Sequence, residues 1–212
     1  MNPIDSVLQQ SFPAMMVPTR EELPPMIQPG ERLLMAADGV YLEILRPWIR
    51  AIRRIARLEV DTAIPYGVVE EATDLLCGPV DPELIGRFYR MARGSSPDET
   101  GAWIVWDAIT RMFRLVPLPS LSHGPGHLVY ERPLLHDNDC VVVDCHSHGL
   151  GRAFFSRTDN QDDRHDVKFA LVLGNCDRDP SSLLRLCLKG KFERLEGLPQ
   201  PWTEAIALEV SK

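Results

Sequence analysis

What the chain lacks narrows its class before any motif is read. No window approaches the ~20 consecutive apolar residues that a bilayer span requires. The opening stretch, MNPIDSVLQQSFPAMMVP, has neither the basic n-region nor the apolar h-region of an export signal, which predicts a cytoplasmic protein. Five cysteines are scattered over 212 residues without a C-x-x-C pair, so they read as reduced thiols filling a core. There is no basic excess either. The net charge of −7 argues against a nucleic-acid binder, which needs a basic face to neutralise phosphates. One local exception is RPWIRAIRRIAR, with Arg46, Arg50, Arg53, Arg54 and Arg57, and it reads as a solvated face before it reads as a partner site. Repeats and low-complexity tracts are absent.

What is present is a globular balance, 44% hydrophobic and 25% charged, in a chain long enough for a sizeable core. The pattern predicts a single α/β domain of the α+β type, residues 80–212, preceded by an N-terminal extension over residues 1–79 that packs on it. The proline-rich first thirty residues are expected to be irregular. RLLMAADGVYLEILRPW predicts two strands around an Asp38-Gly39 turn, because Asp-Gly tolerates positive φ. A short helix is expected over residues 66–78. DPELIGRFYRMARG predicts a helix capped by Asp81, started by Pro82 and ended at Gly94, with Leu84, Ile85, Phe88 and Ala92 as its buried stripe. TGAWIVWDAITRMFRLVPLP reads as two strands turning near Ala108, SHGPGH as a flexible loop, and CVVVDC as a central strand. DVKFALVLG and LLRLCLKGKFERL predict a terminal hairpin. Helices and strands thus mix around a central mixed sheet, with mostly antiparallel signals.

The chemistry gathers at VDCHSHGLGRAFFSRTD. His146 and His148 follow an apolar strand at a spacing of two, which turns both imidazoles to one side. Asp159 can return from the start of a following helix as a third ligand. Two imidazoles and one carboxylate suit zinc, and three protein ligands leave one tetrahedral position open, as in catalytic sites. The full pattern H-x-H-x7-S-x2-D is filled by His146, His148, Ser156 and Asp159.

That pattern resembles the signature of the JAMM (MPN-plus, Prok-JAB) zinc metalloproteases, over residues 80–195. The resemblance implies a central mixed sheet flanked by helices and hydrolysis of a peptide or isopeptide bond at the C-terminus of a ubiquitin-like protein. It also implies Zn2+ on His146, His148 and Asp159. An upstream glutamate should activate the attacking water, and Glu99, between the helix and the next strand, is the residue that matches. Ser156 would hydrogen-bond the oxyanion. Glu43 and Glu131 are set aside as solvated surface charges. Within the family, the tail and the proline-rich extension look most like the JAMM-like member of bacterial PRTRC cassettes, which implies a ubiquitin-like substrate and a ThiF/E1-like partner. The alternative is a metal-free MPN-type scaffold binding the same partners. Family deubiquitinases carry proline after the second histidine, where this chain has Gly149. Asp162, Asp163, His165 and Asp166 are expected on a solvated helix face, with His165 a candidate to support a metal ligand from behind. His123, His127 and His136 are given no role. D-x-H-x-H also resembles the strand end of amidohydrolase barrels, but too little chain follows it to complete one.

Overall fold

The computed structural model describes residues 2–59 and 63–212. They form two compact units, the first running to Gly78 and the second from Pro79 to Lys212.

The first unit is a sheet with its own core. Helix α1 (Pro3–Ser11), capped by the Asn2 side chain, leads into the short strand β1 (Ala14–Met16). Strands β2 (Gly30–Ala36), β3 (Gly39–Arg46), β4 (Ile49–Arg57) and β5 (Ala72–Leu75) follow, and the five strands lie in the order β1-β2-β3-β4-β5. Among the described residues, only β1 and β2 pair in parallel in this sheet. Val17, Leu34, Ala36, Tyr41 and Ile52 make a buried cluster.

Two expectations fail in this unit. The first thirty residues include a helix and a strand, because the prolines fall at a helix start and between elements where no ladder hydrogen bond is lost. Residues 66–78 supply β5 and a turn at Leu76 and Cys77 rather than a helix, since Ile49–Ile52 offer that segment an unpaired strand edge. The β2–β3 hairpin forms as the pattern predicts, but for a different reason. Gly39 does not adopt a positive φ; it is required because a Cβ there would fall 2.3 Å from the Ala56 carbonyl oxygen.

The second unit begins with helix α2 (Pro82–Ser95), capped by Asp81, whose carboxylate accepts from the Glu83 N–H at 3.0 Å. The helix runs through Gly94 into Ser95. Its buried stripe comprises the four expected residues together with Gly86 and Tyr89. Strands β6 (Gly101–Asp107) and β7 (Phe113–Pro117) are the predicted pair, turned by the Asp107 carboxylate accepting from the Ile109 and Thr110 N–H groups. SHGPGH is not a loop: Pro125 and Gly126 turn a hairpin between β8 (Ser120–Gly124) and β9 (His127–Tyr130).

Strand β10 (Asp139–Ser147) lies at the centre, antiparallel to β6 and parallel to β11 (Val167–Gly174). Between them come helix α3 (Arg157–Asp162) and a 3₁₀ turn (Asp163–His165). Strands β12 (Ser181–Leu188) and β13 (Lys191–Arg194) complete a six-stranded sheet ordered β13-β12-β11-β10-β6-β7. Helix α4 (Gln200–Val210) packs on α2, which also lies against β6, β7 and β10. This is the mixed α/β architecture that the sequence predicts, with helices flanking mixed sheets. Among the described residues, no helix is long and apolar enough to cross a membrane.

Candidate metal centre

Alternation along β10 separates two faces. Val143, Cys145 and Ser147 are buried on one, while Asp144, His146 and, just past the strand, His148 line a cleft on the other. The strand ends because the chain turns at Gly149, whose φ is +51°. A Cβ at this position would sit 2.0 Å from the Pro97 carbonyl oxygen, so proline, fixed near −65°, has no place there. The departure from the family pattern is therefore built into the backbone of this loop. The loop is tied back to the sheet by His148 N–H donating to Leu173 O at 2.8 Å and Cys176 N–H to Gly149 O at 2.9 Å.

His146 Nε2 and His148 Nε2 stand 3.2 Å apart, and Asp159 Oδ1 lies 3.7 Å from His146 Nε2. The three ligand atoms fall within 4.8 Å of one another. Zinc bonds of ~2.0–2.1 Å to tetrahedral ligands give ligand–ligand edges of about 3.3 Å, so the trio fits that ion with little rearrangement. Two of the ligands are also oriented by a second contact. His148 Nδ1 lies 3.2 Å from the Arg152 carbonyl oxygen, to which only an Nδ1–H can donate, leaving Nε2 its lone pair. Phe154 packs on the same imidazole, with ring centroids 4.4 Å apart.

Asp159 is the N3 residue of α3 and forms a reciprocal capping box with Ser156. The Ser156 N–H donates to Asp159 Oδ2, and the Asp159 N–H donates to Ser156 Oγ at 3.1 Å. One carboxylate oxygen is thus fixed by the cap and the other is turned toward His146. Ser156 Oγ accepts from the backbone, and its hydroxyl hydrogen is free to donate into the cleft, which it lines.

The electrostatics suit a cation. Burial lowers the pKa of His146, which keeps it neutral and able to offer a lone pair. Burial acts to raise Asp159, but the neighbouring His146 and the hydrogen bonds from Ser156 outweigh it and hold the carboxyl below its usual range. Glu99 lies in the same cleft, on the segment between α2 and β6. Burial, and then the charge of Asp159, push its carboxyl up to about 7. Its backbone is held by Glu99 N–H donating to Gly124 O at 3.2 Å. The next residue is fixed by a reciprocal pair, Thr100 N–H to Ser147 Oγ at 3.0 Å and Ser147 N–H to Thr100 O at 2.9 Å.

The cleft has a volume of about 660 Å³, and all five residues singled out in the sequence line it: Glu99, His146, His148, Ser156 and Asp159. His127 lines it too, from the β8–β9 hairpin, although no motif in the sequence points to a role for it. The two glutamates set aside fare differently. Glu131 is exposed, whereas Glu43 is fully buried in the first unit, where it accepts from Arg32 Nε at 2.6 Å and Arg50 Nε at 2.9 Å. The acidic run after Asp159 is not wholly solvated either. Asp163 is buried, while His165 is exposed and stands outside the cleft lining. Asp144 and Lys168, paired at 2.7 Å, also line the cleft, and the motif does not include them. The sequence nonetheless carries their signals: Asp144 shares the two-residue spacing of the histidines, and Lys168 is a lone charge inside an apolar strand run.

Residues 81–186, half of the chain, match the prokaryotic homologs of the JAB domain. Residues 2–76 match a domain of unknown function, DUF2016. No curated protein matches the chain.

Proposed function

The chain belongs to the prokaryotic homologs of the JAB domain, and from that premise we propose that it is a zinc-dependent peptidase of the JAMM type. The substrate is an amide bond at the C-terminal tail of a ubiquitin-like protein, and the narrower kinship is with the JAMM-like protein A of PRTRC cassettes, which brings a ThiF/E1-like partner into reach. The observation that carries this reading is the convergence of His146 Nε2, His148 Nε2 and an Asp159 oxygen within 4.8 Å, in a cleft that also holds a half-buried glutamate.

His146, His148 and Asp159 would hold the ion, which when bound polarises the scissile carbonyl and acidifies water. Glu99 takes the proton of the attacking water and returns it to the leaving amine. A carboxyl displaced toward neutrality is suited to both transfers. The Ser156 hydroxyl, positioned by its cap, donates to the oxygen that gains charge. The substrate tail lies extended along β9, which pairs with β8 alone among the described residues and walls the cleft with Leu128, Val129 and Tyr130.

The test is to incubate the zinc-loaded full chain with a ubiquitin-like protein carrying a C-terminal extension and read cleavage by mass spectrometry. Wild type should cut after the tail, while Glu99→Gln should keep its zinc and lose turnover. A Glu99→Gln protein with full activity would move the general base elsewhere. A wild type that binds zinc and the ubiquitin-like protein without cutting would favour the scaffold.

A further inference from the structure

Two charged side chains interrupt the apolar interior strands of the second unit, Lys168 in β11 and Arg185 in β12, only 8% and 4% exposed. A buried cation is costly unless it is closely partnered, so its partners indicate what it serves. The Arg185 guanidinium lies between two aromatic rings, 3.9 Å from the centroid of Phe155 and 4.2 Å from that of Phe192. Its Nη1 donates to Asn160 Oδ1 and its Nη2 to Asp163 Oδ2 at 2.6 Å. The other Asp163 oxygen faces Lys168 Nζ at 2.8 Å, and the same ammonium reaches Asp144 at 2.7 Å and Asp166 at 2.9 Å.

These partners cluster along one short segment. Phe155 directly precedes Ser156, Asn160 directly follows Asp159, and Asp163 closes α3. One guanidinium therefore grips both ends and the middle of the segment that carries Asp159 and Ser156. That helix has six residues and no buried side chain. So short a helix does not hold itself together in water, and its capping box fixes Asp159 relative to Ser156 but not relative to the histidines. Lys168 and Cys187 reach the end of α3 at Asp163, and Arg185 joins both that end and Asn160, beside Asp159, to β12.

Resting on the reading of the trio as a metal centre, we propose that Arg185 is its positioning residue: it docks α3 on β12 so that the Asp159 oxygen meets His146 and His148, with Lys168 holding Asp163 in place as the anchor. Lysine at this position would keep the charge but lose the planar fork and the stacking on both rings.

Cobalt(II) titration of the full chain against a competing chelator, with the visible absorption spectrum recorded, tests this. The variants are Arg185→Lys, Phe192→Leu, Asp159→Ala and the Arg185→Lys/Asp159→Ala double, each first checked for folding by near-ultraviolet circular dichroism. Arg185→Lys should bind cobalt ~10- to 100-fold more weakly, as losing an outer partner of a ligand does, with its spectrum moved toward that of Asp159→Ala. The double variant should bind no more weakly than Asp159→Ala, because a frame for Asp159 has nothing to hold once the carboxylate is gone. Should Arg185→Lys fail to fold, Phe192→Leu removes one stacking wall and leaves the charges, and a loss of roughly 3- to 10-fold is expected. Folded variants with wild-type affinity and spectrum, or an Arg185→Lys loss that adds in full to that of Asp159→Ala, would overturn the proposal. A wild type that binds no cobalt would sink the metal reading itself and the proposal with it, whereas a wild type that binds beside an equally good Arg185→Lys sinks only the role of Arg185.

Discussion

Two polar groups, one in each unit, are partnered in opposite ways. In the first, Glu43 is fully enclosed, and both of its oxygens are taken by guanidinium donors from Arg32 and Arg50. Acceptor meets donor, and nothing is left over for a ligand. In the second, two imidazole Nε2 atoms and a carboxylate oxygen crowd within 4.8 Å. At most one proton can lie between the two imidazoles, so the group is short of positive charge at its centre. The contrast separates a carboxylate that belongs to the architecture from a cluster that asks for a cation. A buried polar group with its partners in place is structure, while convergent acceptors held apart from donors are a site.

Substitutions on either side of this division should behave differently. The largest effect is expected from Asp159→Ala, which removes a ligand: metal affinity should fall by more than the ~100-fold upper range for a supporting partner, read by competition with a chelator. Glu43→Ala should leave zinc binding untouched and cost the protein ~3–5 kcal/mol, because Arg32 loses its buried counter-charge; chemical unfolding of the metal-free protein checks this. If Glu43→Ala altered zinc binding instead, the division between the two kinds of burial would fail.

Glu99 supplies a smaller, pH-dependent effect. Its carboxyl titrates near 4.5 ordinarily and at about 7 in the fold, so the folded state holds the proton to higher pH than the unfolded state. Stability from this group is therefore lost as pH rises from about 4.5 to about 7, and stays lost above that. Glu99→Gln should flatten that decline and stabilise the metal-free protein at pH 8 by on the order of 1–2 kcal/mol after solvent screening. Unfolding curves at pH 5 and pH 8 in the presence of chelator measure it; an equal decline in the two proteins would show that the Glu99 carboxyl is not its source. The smallest effect belongs to Glu131→Gln, an exposed charge, for which stability should stay within ~0.5 kcal/mol and zinc content should not change.

The same contrast explains what can be read in the sequence. The central strand, the α2 stripe and the β2–β3 hairpin are local patterns, visible in the spacing of apolar residues. The histidine–aspartate trio is legible as a cluster because its spacing brings it together: alternation puts two histidines on one face, and a helix start returns an aspartate. Glu43 reads wrongly as a surface charge because its burial depends on Arg32 opposite it across the β2–β3 register and on Arg50 in the next strand. Arg185 likewise reads as one charge in LLRLCL, and its hydrogen-bond partners lie more than twenty residues away in the sequence. The β8–β9 hairpin is hidden by Gly124, Pro125 and Gly126, which mark a turn equally well whether strands or loops flank it. Gly149 is visible as a departure, but its reason, a positive φ against the Pro97 carbonyl, is a property of the folded backbone.

Whether the histidine–aspartate trio is a metal centre is decided by the zinc content of the purified chain beside a His146→Ala/His148→Ala variant. About one zinc per chain is predicted in the wild type, the single ion that one set of three ligands can hold, and none in the variant. Zinc retained by the variant, or absent from a folded wild type supplied with the metal, would contradict that assignment.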